Sequence, residues 1–227
     1  MTSAVGGGSN FLIPSAFCEP VLGPCASQGR ALRVLFALLW ISAETMRQGA
    51  QVRFTASLAE VRVAAGFEKY DKDGPVLEVL EALSTEVCHF ADGTDLPIFD
   101  LIGISPEDER SLEWVFNADF NDLFVRPPIF AIVNILELTQ MRTGLDVFLY
   151  LQMRRVWRMR RSAVELTVSD LIRVAGLPED VEFRRVSERV KRTSDRLEVL
   201  LGGKITLRAL RHPGAARNHA IRLTVVK

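Results

Sequence analysis

The sequence predicts an α+β chain, mainly helical, made of two tandem winged helix-turn-helix domains. Two observations carry that expectation. The order helix, strand, helix, helix, hairpin runs along the chain twice, with similar local wording each time. Charge is also divided between the two copies. Residues 1–141 hold 9 Lys/Arg and 19 Asp/Glu, whereas residues 142–227 hold 19 and 9. The formal net charge of zero therefore conceals a basic C-terminal half, the electrostatic footprint of a polyanion binder.

The 227 residues, 48% of them hydrophobic, suffice for two cores of about 100 residues each. Residues 1–29 read as an N-terminal leader. Gly6-Gly7-Gly8-Ser9 is expected to be flexible and not a phosphate loop, since no Lys-Ser/Thr follows it. No apolar run is long enough for a bilayer span, and no basic n-region opens the chain. Three cysteines do not make a disulfide framework, so a cytoplasmic setting is expected.

The first domain is read over residues 30–125. Leu32, Leu35, Phe36, Leu39 and Met46 give Arg30 to Gln48 helical periodicity. Gln51 to Phe54 is strand-like, and Thr55 or Ser57 caps a helix from Leu58 to Ala65 that stops at Gly66. Pro75 suits the first turn of a third helix, Val76 to Thr85. Val87–Phe90, Pro97–Ile104 and Leu112–Phe120 are expected as strands.

Arg126-Pro127-Pro128 marks the boundary, and the second domain spans residues 126–227. Gly144 to Met159 is a helix with Leu145, Phe148, Leu149 and Met153 on one face. Val164 to Leu166 is strand-like, Thr167 or Ser169 caps a helix to Ala175, and Val181 to Leu201 forms a long helix stopped by Gly202-Gly203. Lys204–Leu210 and Ala220–Val226 alternate in polarity around His212-Pro213-Gly214, which makes them a hairpin, the wing. The two halves match locally. Thr55 to Gly66 aligns with Thr167 to Gly176, with two extra residues in the first copy.

The long helix carries the chemistry. It holds Arg184, Arg185, Arg189, Lys191, Arg192 and Arg196, with Phe183, Val186, Val190 and Leu197 on the opposite stripe. Arg185, Arg189, Arg192 and Arg196 recur at helical spacing and share a face. Long cations anchor on phosphates, and a guanidinium can read guanine bidentately. The plainer reading is a solvated face paired to Glu182, Glu188, Asp195 and Glu198. Arg208, Arg211 and Arg217 place further cations on the wing, and Arg158 and Arg161 belong to a cluster with Arg154, Arg155 and Arg160. That cluster lies near a helix C-terminus, where cations are also stabilising in themselves. The first domain offers Glu78, Glu81 and Glu86 where the second offers arginines, so it is read as a surface for self-association or a partner. Arg33, Arg47, Arg53 and Arg62 are its remaining candidates for phosphate contact.

Enzyme chemistry finds no motif. There is no His-Glu-x-x-His, no Gly-Lys-Ser/Thr phosphate loop and no nucleophile elbow. Cys18, Cys25, Cys88 and His89 do not have the spacing of a zinc knuckle. No catalytic residue, metal or cofactor is expected. Asp92, Asp95, Asp100 and Glu107-Asp108-Glu109 read as solvated turn carboxylates.

Asn10-Phe11-Leu12-Ile13-Pro14, Gln51-Val52-Arg53-Phe54-Thr55, the strand-rich stretch Ile98 to Phe124 and the unit Leu145 to Leu201 together resemble the replication initiator (Rep) proteins of bacterial plasmids, most closely their TrfA-like members. The resemblance covers residues 10–225, with a shortened first unit. It implies binding to repeated origin DNA (iterons) through the C-terminal unit, with Arg184, Arg185, Arg189 and Arg192 in the DNA-reading region. It also implies homodimerisation through the first unit and recruitment of host replication proteins. Two other readings stay open on the residues alone: a winged-helix transcriptional regulator, and an RNA-binding structural subunit of a nucleoprotein complex.

Overall fold

The computed structural model describes residues 8–14, 21–22, 28–48, 52–69, 72–90, 93–125, 130–158, 163–211 and 220–226. The first unit opens with β1 (Asn10–Pro14), β2 (Val21–Leu22) and the long α1 (Gly29–Arg47). The apolar spacing read from the sequence places Leu32, Leu35, Phe36, Leu39 and Met46 of α1 in the core. β3 (Phe54–Ser57) then leads into α2 (Leu58–Ala64). Ser57 and Glu60 form a reciprocal capping box: the Ser57 hydroxyl accepts the Glu60 N–H, and the Glu60 carboxylate accepts the Ser57 N–H.

Three expectations change beyond this point. The third helix is two pieces, α3 (Gly74–Leu77) and α4 (Leu80–Ser84). Pro75 does sit in the first turn, but the ladder tightens at Val79, whose N–H bonds to the Val76 carbonyl three residues back. The stretch expected as one strand from Pro97 to Ile104 changes sheet. β5 (Asp95–Pro97) pairs with β4 (Val87–His89), and β6 (Phe99–Ile104) pairs with β7 (Ser111–Phe116). Ile98 is the pivot: its side chain is buried, its N–H bonds to Glu86 O and its carbonyl accepts Asn117 N–H. Finally, Leu112–Phe120 is not one strand. Asn117 accepts the N–H groups of Asp119 and Phe120 on its side-chain oxygen and starts α5 (Ala118–Val125). Phe99, Phe116, Phe120 and Phe124 then pack in succession, the first two pairs stacked and the last tilted, with neighbouring ring centroids 5.1, 5.7 and 5.4 Å apart.

The proline-rich boundary residues 126–128 lie outside the described residues. β8 (Phe130–Asn134) and α6 (Ile135–Leu138) follow, and Asn134 caps α6 by accepting the Leu136 and Glu137 N–H groups. The second unit contains α7 (Gly144–Arg158), β9 (Ala163–Thr167), α8 (Val168–Ala175), α9 (Phe183–Leu201), β10 (Lys204–Leu210) and β11 (Ala220–Val226). Leu145, Phe148, Leu149 and Met153 of α7 are buried as expected.

The two units share one connectivity. β3 pairs antiparallel with β7, and β7 with β6; β9 pairs antiparallel with β11, and β11 with β10. Ser57 and Thr167 are equivalent caps, each nine residues before a left-handed glycine, Gly66 (φ 73°) or Gly176 (φ 61°). The capping bonds after each helix also match. Gly66 and Phe67 donate to Val63 and Arg62, while Gly176 and Leu177 donate to Arg173 and Ile172. The extra residues read in the first copy therefore disappear once Ser57, not Thr55, is taken as the cap.

Residues 10–14, expected in a leader, form an element instead. β1 pairs with β8 from Asn10↔Asn134 to Pro14↔Phe130, because alternation turns Phe11 and Ile13 into the core. This two-stranded sheet and α6 make a packed joint. Arg33 donates to the Thr139 carbonyl at 3.0 Å, and its guanidinium lies 4.1 Å from the Phe67 ring centroid. A Cβ on Gly66 would meet Thr139 Cβ at 2.4 Å, and one on Gly29 would meet the Arg142 carbonyl at 2.4 Å. On the other side Tyr150 donates to Glu137 at 2.6 Å and accepts Asn134 N–H at 3.0 Å, while Arg154 pairs with Glu137. No described helix is long and apolar enough to cross a membrane.

Candidate nucleic-acid interface

α9 runs uninterrupted for 19 residues, about 28 Å at 1.5 Å per residue. Val186, Val190, Thr193, Ser194 and Leu197 face the core, so the charged residues are driven outward. Gly202, in a left-handed conformation (φ 66°), ends the helix, and Glu198 accepts Ile205 N–H, which ties that end to the wing strand β10.

The outward residues divide into two flanks. At about 100° per residue, Arg185, Arg189, Arg192 and Arg196 fall in one sector about 60° wide. Arg184, Glu188, Lys191 and Asp195 fall in another sector of the same width. On this second flank Arg184, with 84% of its side chain exposed, bonds to Glu188 at 2.9 Å, and Asp195 lies one turn beyond Lys191. Opposite charges there offset one another. The first flank carries no acid, and Arg185, Arg189 and Arg192 make no ion pair among the described residues. Arg196 is the exception on its flank: it is bound to the Asp146 carboxylate of α7. Burial alone would raise the Asp146 pKa. The bond from Arg196 and the backbone N–H groups of Arg142 and Thr143 outweigh it and hold the carboxyl below its ordinary value.

The wing has one apolar and one polar face. Ile205, Ile221, Leu223, Val225 and Leu166 point into the core. Arg208 stands directly across from Arg222, which stands across from Glu165 and bonds to it. Arg208 and Arg211 are exposed. Arg217, Arg161 and the His212-Pro213-Gly214 turn lie outside the described residues, as does the side chain of Arg158. Arg222 and Lys204, on the same outer face as Arg208, were not singled out from the sequence. Period-two alternation on both sides of the turn is the signal that finds them.

Other sequence candidates are structural. Arg154 is half-buried, lies over the Tyr150 ring and pairs with Glu137, so it braces the joint. Burial pushes the Tyr150 hydroxyl well up from its ordinary value, with Glu137 as the next cause, which keeps it a neutral donor. In the first unit Arg33 serves the joint, and Arg47, Arg53 and Arg62 pair with Glu44, Glu113 and Asp73. Glu78 and Glu81 are exposed as expected. Glu86 is not part of that acidic face, being 1% exposed beneath the sheet change at Ile98. Cys88 is buried, and burial pushes its thiol pKa up, which keeps the sulfur in the protonated form. Cys18 and Cys25 lie outside the described residues. Among the described residues no three His, Cys, Asp or Glu are grouped to hold a metal.

The arrangement is a two-sided module. A long helix with three arginines that make no ion pair among the described residues stands beside a cationic hairpin, and a packed joint holds both against the first unit. Neither a protein-family model nor a curated protein sequence matches the chain. Solved structures do match. The Pi initiator protein in complex with iteron DNA aligns over 98% of this chain and 99% of that one, at 13% identity and a TM-score of 0.66. Domains 2 and 3 of RctB align over 86% of this chain and 81% of that one, at 14% identity and a TM-score of 0.52. The chain thus has the Rep-type initiator fold, an α+β pair of winged helices.

Proposed function

We propose that the chain is a non-enzymatic, sequence-specific double-stranded-DNA-binding protein that initiates plasmid replication by binding repeated origin sequences. The observation that carries this reading is the acid-free flank of α9. Arg185, Arg189 and Arg192 are exposed, make no ion pair among the described residues, and span about 10 Å, roughly three base-pair steps. A helix of this length docks in the major groove, where guanidinium groups read guanine edges or anchor on phosphates. The β10–β11 hairpin with Arg208 and Arg211 lies along the backbone. The shared fold supports the reading further, since the Pi initiator was solved in complex with iteron DNA. The acidic first unit supplies homodimer contacts and the surface for host replication proteins. No catalytic step or cofactor is assigned.

Selection of random duplex DNA by the full chain, followed by a salt titration on the enriched site, tests this. One recovered site, with a steep salt slope that Arg189→Ala reduces by about 1, supports it. Salt-sensitive binding without enrichment, or preference for single-stranded RNA, overturns the sequence-specific part. No binding to duplex DNA overturns the whole reading.

A further inference from the structure

Arg196 shares a flank with Arg185, Arg189 and Arg192, but its surroundings differ. Its side chain is 51% exposed and reaches Asp146, whose side chain is only 4% exposed. The Asp146 carboxylate is fully engaged. Oδ2 accepts the N–H groups of Arg142 and Thr143, both at 2.9 Å, and Oδ1 accepts Arg196. Arg196 also donates to Thr193 Oγ1 at 3.2 Å, within its own helix. Asp146 therefore caps the start of α7, and Arg196 is the countercharge that makes burying the carboxylate tolerable. α7 is fixed in turn to the joint through Tyr150 and Arg154. The pair thus extends a chain of contacts from the joint through α7 to α9.

We infer that Arg196 is a positioning residue: through Asp146 it sets how α9 is held against α7, and polyanion contact on this flank belongs to Arg185, Arg189 and Arg192. The inference rests on reading α9 as a duplex-DNA contact. Turning Arg196 toward a phosphate would strip Asp146 of its countercharge and leave a desolvated carboxylate, which is strongly unfavourable. The other three arginines give up no partner among the described residues.

The sign of one substitution separates the alternatives. Asp146→Asn removes a negative charge from a basic module while keeping an amide oxygen to accept a backbone N–H. By charge alone it should tighten polyanion binding. The brace predicts the reverse. The experiment compares the full-length wild type, Arg189→Ala, Arg196→Ala and Asp146→Asn on a mixed-sequence duplex across a range of KCl, with amide hydrogen exchange followed across α9. Expected are a salt slope lowered by about 1 for Arg189→Ala, weaker binding with an unchanged slope for Arg196→Ala, and weaker binding for Asp146→Asn. Both brace variants should also speed exchange in α9 and at the start of α7. An Arg196→Ala slope change equal to that of Arg189→Ala, or tighter binding by Asp146→Asn, overturns the inference. If the wild type does not bind duplex, the DNA reading fails on its own. The exchange data then still decide the brace, and unchanged α9 protection in both variants overturns it. Should Asp146→Asn fail to fold, the Arg196→Ala slope decides alone.

Discussion

The two units begin alike and part after the same glycine. In each, a strand runs into a capped helix that closes on a left-handed glycine, and the strand joins a three-stranded sheet of one topology. Beyond Phe67 the first unit has two short helices with Glu78 and Glu81 outward, and Arg30 bonds to Glu78 across to α1. Beyond Leu177 the second has one 19-residue helix with three arginines unengaged among the described residues. A single local code therefore builds both turns, and only the next helix decides what each unit offers outward. Arg30, Arg47, Arg53 and Arg62 of the first unit are ion-paired and Arg33 serves the joint, whereas Arg185, Arg189 and Arg192 of α9 make no ion pair among the described residues.

Four measurements break or sharpen that contrast. The largest effects concern whether the units are one body. Leu35 of α1 and Leu149 of α7 are both fully buried in one continuous core. Leu35→Ala and Leu149→Ala should each cost about 2–5 kcal/mol in urea unfolding. Both should shift the same single transition, and a second transition untouched by one of them would divide the core. The glycines come next. Gly176→Ala should cost about 1–2 kcal/mol for left-handed backbone alone. Gly66→Ala adds collision with Thr139, a further 1–3 kcal/mol or so, and should be clearly the worse of the two. Equal losses would mean that the joint yields.

The third measurement addresses the cations directly. Arg185→Ala and Arg189→Ala should each weaken binding to an enriched duplex by about 1–3 kcal/mol if they read bases, with unfolding unchanged. Arg53→Ala, in the first unit and paired to Glu113, should leave that affinity unaltered. Equal losses would erase the division of labour between the units. The smallest effect tests the shared code. Ser57→Ala and Thr167→Ala each remove one helix cap and should cost about 1 kcal/mol in thermal unfolding. The two losses should match, because each hydroxyl accepts the N–H three residues on and donates to the carboxylate of that same residue.

What could be read from the sequence was local. Caps, left-handed glycines and the apolar stripes of α1, α7 and α9 follow from bonds and periodicities spanning a few residues. The arginine flank of α9 followed from the same 3.6-residue repeat, which is why its location was correct. Errors arose where local signals competed. Leu112 to Phe120 is apolar enough for a strand throughout, but the Asn117 side chain captures two N–H groups and turns the chain into a helix. Pro97 to Ile104 is rich enough in apolar residues to read as one strand, and only pairing with β4 on one side and β7 on the other divides it at Ile98.

By itself, then, the sequence determined two winged helices, their charge division and the face of α9 that bears arginine. Tertiary structure alone decided that residues 10–14 would pair with β8, that Glu86 would be buried, and that Arg196 would be bound to Asp146. These outcomes depend on partners 50 or more residues away in two of the three cases. A side chain's repeat states which way it faces on its own helix or strand, but not which charge or strand the folded chain brings to meet it.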